Sequence, residues 1–183
     1  TFPILLDMLS RDKQVIQNTR FLINIDPCSG TNGETQEQTE QNFIDMFKRY
    51  DFKKYEITKG DKGCFFTAAK TLLQRTEQLI DTNSHSAVLW FEDDKRLRKD
   101  PVFEGYMKET EDYVIHLWKK APQAPSFHPC LWSANMAKKY LIQSITTQTT
   151  PYDPELLMMN DWRKRFHDDC RFVHYFFSDD IGR

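Results

Sequence analysis

Apolar and polar positions follow two different periods along the first half of this 183-residue chain. Apolar residues at helical spacing predict helices over residues 3–18, 34–50 and 64–80. Short apolar runs predict strands at residues 21–25, 52–58 and 87–91, each bounded by turn-forming residues. The alternation of strand and helix indicates right-handed crossovers, and so an α/β fold with a mainly parallel central sheet flanked by helices.

The second half of the chain has a less regular pattern. It predicts a short helix near residues 101–110, a strand at 113–118 and a loop at 126–132 that leads into a helix near Ser133. A further helix is predicted from Glu155 to Asp169, and a last strand in the segment RFVHYFF at residues 171–177. The length and the absence of repeats predict one domain over residues 1–183.

Composition narrows the class of protein. The formal net charge of -2 provides no basic field for nucleic acid or an anionic membrane. No apolar run approaches the roughly 18 residues that a membrane span needs, and the N-terminus lacks a signal-peptide pattern. The four cysteines are far apart in sequence, which predicts reduced thiols rather than a disulfide framework. We therefore expect a soluble cytoplasmic protein without a transmembrane segment or a nucleic-acid partner.

Acidic residues follow two of the predicted strands. Asp26 comes directly after the first strand, and Glu92, Asp93 and Asp94 come after the third. In open α/β sheets, ligands bind beyond the carboxyl ends of the strands. Three adjacent carboxylates repel one another, and a hard divalent cation such as Mg²⁺ or Mn²⁺ relieves that repulsion. In extended backbone Glu92 and Asp94 point to the same side, so they are the better pair of metal ligands. The alternative is a solvated acidic turn, neutralised by the basic residues Lys95, Arg96 and Arg98.

Several segments, in order along the chain, resemble glycosyltransferases with the GT-A fold. VLWFEDD resembles their acidic DxD-type motif in the E-D-D form, as found in family 2-like enzymes. RFLINIDP is similar to the first strand of that fold, and GDKGCFFTAAKTLL to the start of the helix before the motif strand. SFHPCLWS with the later PYDPE resembles the acceptor side, and DDIGR the tail. The resemblance implies transfer of a sugar from a UDP- or GDP-sugar donor to a glycan or protein-linked acceptor.

The resemblance also implies a divalent metal and a binding site for the nucleotide. Asp94 would bind Mn²⁺ or Mg²⁺ directly and Glu92 directly or through water, and His174 in the last strand could complete the site. The metal would stabilise the charge on the departing diphosphate. Asp93 would lie near the ribose and Asp26 would face the base or ribose. Lys62 could contact the phosphates, although a loop lysine is commonly only solvated, and a strand histidine such as His174 is commonly a core residue.

On the acceptor side, the resemblance implies a general base only if the enzyme inverts the anomeric centre. Glu155 occupies the matching position, with Asp153 and Asp161 as competitors, and its ordinary role would be that of an acid in the first turn of a helix. His128 could contact a sugar hydroxyl, and Trp132 could stack on a sugar ring unless it belongs to the core. A retaining enzyme would need no such base, and both outcomes stay open.

Two other functions are compatible with the same residues. A metal-dependent nuclease could use Asp93, Asp94 and Lys95 with Asp26 as a distant partner acid, although the lysine follows the strand rather than lying on it. A binding module without catalytic activity could use the aromatic surface. The chain is also short for a GT-A enzyme, which leaves open that it is the catalytic domain of a longer polypeptide.

Overall fold

The protein has an α/β structure. A computed structural model of the chain describes residues 2–27, 33–61, 64–80, 86–91, 95–97, 112–118, 129–165 and 171–180. The strands are β1 (Phe21–Ile25), β2 (Tyr55–Lys59), β3 (Ala87–Trp90), β4 (Lys95–Leu97), β5 (Tyr113–Trp118), β6 (Cys130–Ser133) and β7 (Arg171–Asp180). The helices are α1 (Phe2–Leu9), α2 (Lys13–Asn18), α3 (Gln36–Arg49), α4 (Phe65–Leu79), α5 (Ala134–Met136), a π-helix (Ala137–Ile142), α6 (Gln143–Thr146) and α7 (Pro154–Arg165).

The chain groups into two compact units, residues 2–72 and residues 73–183. In the first unit β1 and β2 form a parallel pair, with Phe21 opposite Tyr55 and Ile25 opposite Lys59. Helix α3 is the crossover between them. It begins with a capping box, in which the Thr35 hydroxyl accepts the N–H of Gln38 and the Gln38 side chain accepts the N–H of Thr35.

An aromatic core holds α3 to the parallel strands. Phe47 is fully buried and its ring lies 4.6 Å from that of Tyr55 and 4.9 Å from that of Phe21, measured between centroids. Leu6 from α1 and Phe52 from the loop before β2 are buried in the same cluster. The single helix predicted over residues 3–18 is instead two helices, because the Asp12 side chain accepts the N–H of Gln14 and starts α2.

The second unit contains a mixed five-stranded sheet in the order β3-β6-β5-β7-β4. Strand β6 is antiparallel to both β3 and β5, β7 is parallel to β5, and β4 is antiparallel to β7. The α/β class is confirmed, but the prediction of a mainly parallel central sheet is wrong for the described strands. The two predicted strands at residues 21–25 and 87–91 also belong to different sheets.

The reason for this difference is β6, which lies in a segment that the sequence pattern predicted as a loop. Cys130, Leu131 and Trp132 are fully or almost fully buried, and each pairs with residues of both β3 and β5. A short apolar run after His-Pro carries little strand signal of its own, so its burial between two other strands determines its conformation. None of the helices in the described part of the chain has the length and apolar character needed to cross a membrane.

Candidate functional site

The strongest candidate site lies at the carboxyl ends of β1 and β2, in the first unit. Because the two strands are parallel, their carboxyl ends meet, and the Gly60 N–H donates to the Ile25 carbonyl at 2.9 Å. Asp26 directly follows β1 and is exposed there. A Cβ placed on Gly60 would lie 3.6 Å from Asp26 Oδ1, so the end of β2 runs directly beside this carboxylate. The structure therefore places Asp26 at the strand end that the sequence predicted.

The Asp26 carboxylate is oriented by its neighbours on the strands. Asn24 Nδ2 donates to Asp26 Oδ1 at 3.0 Å. The Thr58 hydroxyl can donate to Asn24 Oδ1 at 3.2 Å and to the Ile23 carbonyl at 3.1 Å. A row of hydrogen bonds thus runs from β2 through β1 to the carboxylate. Among the described residues no side chain is recorded as donating to the other oxygen of Asp26, which can accept hydrogen bonds from a ligand.

Gln36, the first residue of α3, reaches both strand ends with one side chain. Its Nε2 donates to the Ile25 carbonyl at 2.8 Å and to the Gly60 carbonyl at 3.0 Å. The Gln36 side chain is partly buried. Gln38, two residues later in the same turn, is exposed and accepts the Thr35 N–H in the helix cap. The start of α3 is therefore fixed to the edge that carries Asp26.

Cys64 provides a thiol near the same carboxylate, directly before α4. The backbone N–H of Thr67 is the main cause that lowers the pKa of Cys64, and the Thr67 hydroxyl lowers it further. The negative charge of Asp26 is the smallest cause and acts in the opposite direction, since it raises the pKa of Cys64. The thiol is partly exposed, so its reactivity can report on the site.

A lysine at the end of β2 is already paired with acids of α3. Lys59 Nζ lies 3.0 Å from Glu40 Oε2 and 3.6 Å from Glu37 Oε1. The Glu40 carboxylate is the main cause that raises the pKa of Lys59. Because these acids neutralise its charge, Lys59 is a poor partner for a diphosphate. The predicted phosphate contact, Lys62, lies outside the described residues.

The acidic motif belongs to the second unit, and its three residues, Glu92, Asp93 and Asp94, also lie outside the described residues. Strands β3, β5 and β7 run in one direction, as the pairings around β6 require. The chain therefore leaves β3 at the edge of the sheet where β5 and β7 also end. It re-enters the sheet as β4, opposite the last residues of β7.

A flat five-stranded sheet is too wide for the connection from β3 to β4. Strands β3 and β4 are first and last in the strand order, which corresponds to about 19 Å across a flat sheet. From Trp90 to Lys95 the chain can span at most about 18 Å. Lys95 is opposite Asp180, so it is also displaced from Trp90 along the strand direction. The pairing of β7 with β5 shifts between His174 and Ser178, and such irregularities bend strands. The five strands therefore do not lie in one plane.

His174 lies on β7 at a known position in the register. It is opposite His116 of β5, which is opposite Cys130 of β6, which in turn is opposite Trp90 of β3. His174 is therefore level with Trp90, two residues before Glu92, but about 14 Å away across the strands. Its role as a metal ligand remains a prediction that depends on the curl of the sheet.

The acceptor-side residues have different outcomes. Trp132 is 0% exposed within β6, so the prediction that its ring stacks on a sugar is wrong: it is a core residue. Glu155 is partly buried in the first turn of α7, where Asp153 Oδ1 accepts its N–H at 2.9 Å. Asp153 is thus the helix cap rather than a competing base, while His128 lies outside the described residues. The side chain of Asp161 belongs to the part of α7 that is described only by its backbone.

The described residues contain no ready-made metal centre. Within the described ranges, no three His, Cys, Asp or Glu side chains stand together in a way that could hold an ion. The oxygen donors of the E-D-D segment, which lies outside the described residues, are of the kind that suits Mg²⁺ and Mn²⁺.

Sequence reasoning identified Asp26 but missed the residues that hold it. Asn24 was recognisable, because it is the single polar residue in the apolar run FLINI and so suggests a particular role. Thr58 and Gly60 looked like ordinary strand-end and turn residues. Gln36 lies in a segment rich in glutamine and glutamate, so no local signal distinguishes it from its neighbours.

Comparison with known proteins does not assign a family. The chain matches no protein-family model, and no curated protein is significantly similar to it in sequence.

Proposed function

We propose that this protein is a metal-dependent glycosyltransferase with a GT-A fold. It would transfer a sugar from a UDP- or GDP-sugar to a glycan or protein-linked acceptor. The observation that carries the proposal is the exposed Asp26 carboxylate, oriented by Asn24 at the carboxyl ends of two parallel strands. The E-D-D segment that follows β3 at a carboxyl edge is the second support.

In this proposal the chain's own residues have distinct tasks. Asp26 accepts a hydrogen bond from a hydroxyl of the ribose or an N–H of the base. As the resemblance implies, Asp93 would contact the ribose and Lys62 the phosphates. Glu92 and Asp94, with His174 as a further ligand, would hold Mn²⁺ or Mg²⁺, and the ion would neutralise charge on the diphosphate. In an inverting enzyme Glu155 accepts the proton of the acceptor hydroxyl.

The direct test is binding of nucleotide sugars with and without Mn²⁺. We expect UDP- or GDP-sugars to raise the thermal unfolding midpoint of the wild type only when Mn²⁺ is present, and a panel of donors to show slow metal-dependent hydrolysis. Asp94→Ala should lose both effects because it removes a metal ligand. Asp45→Ala is the control, since Asp45 is an exposed acid on α3 whose Oδ1 accepts the Gln41 amide at 2.9 Å and lies 3.9 Å from Lys48 Nζ.

Other outcomes would separate the alternatives. Protection by DNA with Mn²⁺, together with strand cleavage, would support the nuclease that uses Asp93, Asp94 and Lys95. A lack of response to nucleotides, metal and DNA would support a binding module. Equal binding of donor by Asp94→Ala and wild type would place any metal site elsewhere.

A further inference from the structure

Gln36 connects three elements at the carboxyl edge of the first unit. The last backbone hydrogen bond at this edge runs from the Gly60 N–H to the Ile25 carbonyl. The Gln36 side chain adds a donor to that same carbonyl and to the carbonyl of Gly60. It therefore ties the start of α3 to both strand ends, one residue before Asp26.

These hydrogen bonds do little for overall stability. They lie at the edge of a two-stranded sheet, where water can replace a lost donor, and ordering a glutamine side chain costs rotamer entropy that offsets much of the gain. Gln38, two residues later, makes a comparable hydrogen bond that only closes the helix cap. The particular effect of Gln36 is to fix the positions of Ile25 and Gly60 relative to each other.

Asp26 lies between the hydrogen bonds of Gln36 on one side and the side chains of Asn24 and Thr58 on the other. On one side Asn24, within reach of the Thr58 hydroxyl, donates to its carboxylate. On the other side its backbone continues from Ile25, and Gly60 runs beside its side chain. A carboxylate held in this way loses little freedom when a ligand binds, and such preorganisation raises affinity without a new contact.

We infer that Gln36 is a positioning residue, which holds Asp26 against the end of β2 in the orientation that a nucleotide requires. The inference rests on the proposed function for the identity of the ligand. It assigns Gln36 no contact with the nucleotide, because its amide is already engaged by two carbonyls. Loss of the Gln36 amide should therefore weaken nucleotide binding and displace the Asp26 carboxylate. It should change the free energy of unfolding only slightly.

The test compares Gln36→Met with Gln38→Met, two substitutions that keep side-chain length and remove one amide each from the same helix turn. With UDP and GDP in the presence of Mn²⁺, Gln36→Met should weaken binding about tenfold, whereas Gln38→Met should change it less than about twofold. Circular dichroism and urea unfolding serve as the control that both variants fold. If Gln36→Met unfolds, Gln36→Glu serves instead, since it keeps the size and removes the donors.

A second readout needs no nucleotide. Of the causes that act on the pKa of Cys64, the Asp26 charge is the smallest and raises it, so the pH midpoint of Cys64 alkylation should fall slightly if the carboxylate moves away. In a background with Cys28→Ser and Cys170→Ser, the midpoint should fall in Gln36→Met and stay unchanged in Gln38→Met. Equal midpoints in the two variants would overturn the inference, and so would equal affinities in the two variants if the wild type binds nucleotide. If the wild type binds no nucleotide but the midpoints differ, the proposed function fails and the positioning role stands.

Discussion

Asp26→Ala should weaken nucleotide binding about tenfold without disturbing the fold. One carboxylate oxygen accepts the Asn24 amide at 3.0 Å, and the residue is exposed. A hydrogen bond to a charged group contributes about 1.5–3 kcal/mol. Because Asp26 is exposed and water competes for it, we expect the lower end, about 1.5 kcal/mol, which corresponds to about a tenfold change in Kd.

Asp45→Ala is a closely matched control for this substitution. Asp45 is also an exposed acid of the first unit, and its Oδ1 accepts the Gln41 amide at 2.9 Å, as Asp26 accepts that of Asn24. Calorimetric titration with UDP and GDP in Mn²⁺ measures affinity, and urea unfolding measures stability. The two variants should lose similar, small amounts of stability, and only Asp26→Ala should lose affinity. Affinities within twofold of each other in the two variants would refute the role of Asp26.

Three further predictions concern the acceptor side, the thiol and the core. Glu155→Gln should lower sugar transfer by on the order of 10²-fold with little change in donor affinity, as removal of a general base does; transfer near the wild-type rate would leave Glu155 as a helix-start acid only. The pKa of Cys64 is lowered, so its alkylation rate should reach half-maximum below the pH of an ordinary thiol. Thr67→Val removes a stabilising donor and should move that midpoint upward, while Asp26→Asn should move it downward; an unchanged midpoint in both would contradict the arrangement around the thiol. Phe47→Ala should destabilise the protein by about 3–5 kcal/mol in urea unfolding, since it empties a buried aromatic site; a loss below about 1 kcal/mol would show that the aromatic cluster is not a packed core.

The predicted site residues illustrate which chemistry could be identified before the fold was known. Asp26 was found because a charged residue directly after an apolar run marks a strand end, and strand ends of parallel sheets form ligand sites. Trp132 is predicted on the acceptor side through the resemblance of SFHPCLWS to family 2-like enzymes, with a place in the core as the alternative. Its burial in β6 depends on two strands distant in sequence, which no local pattern encodes.

The sequence by itself determined most of the individual elements. Strands β1, β3 and β5 and helices α3 and α4 follow from apolar periodicity, because a helix or strand must place its apolar residues on the side that becomes buried. The tertiary structure alone decided how these elements combine: β1 pairs with β2, and β3 pairs with the antiparallel β6 in a separate sheet. It also decided that Gln36, among several similar residues, reaches the two strand ends. Pairing and side-chain contacts of this kind depend on residues far apart in the chain, whose energies are set only when the chain has folded.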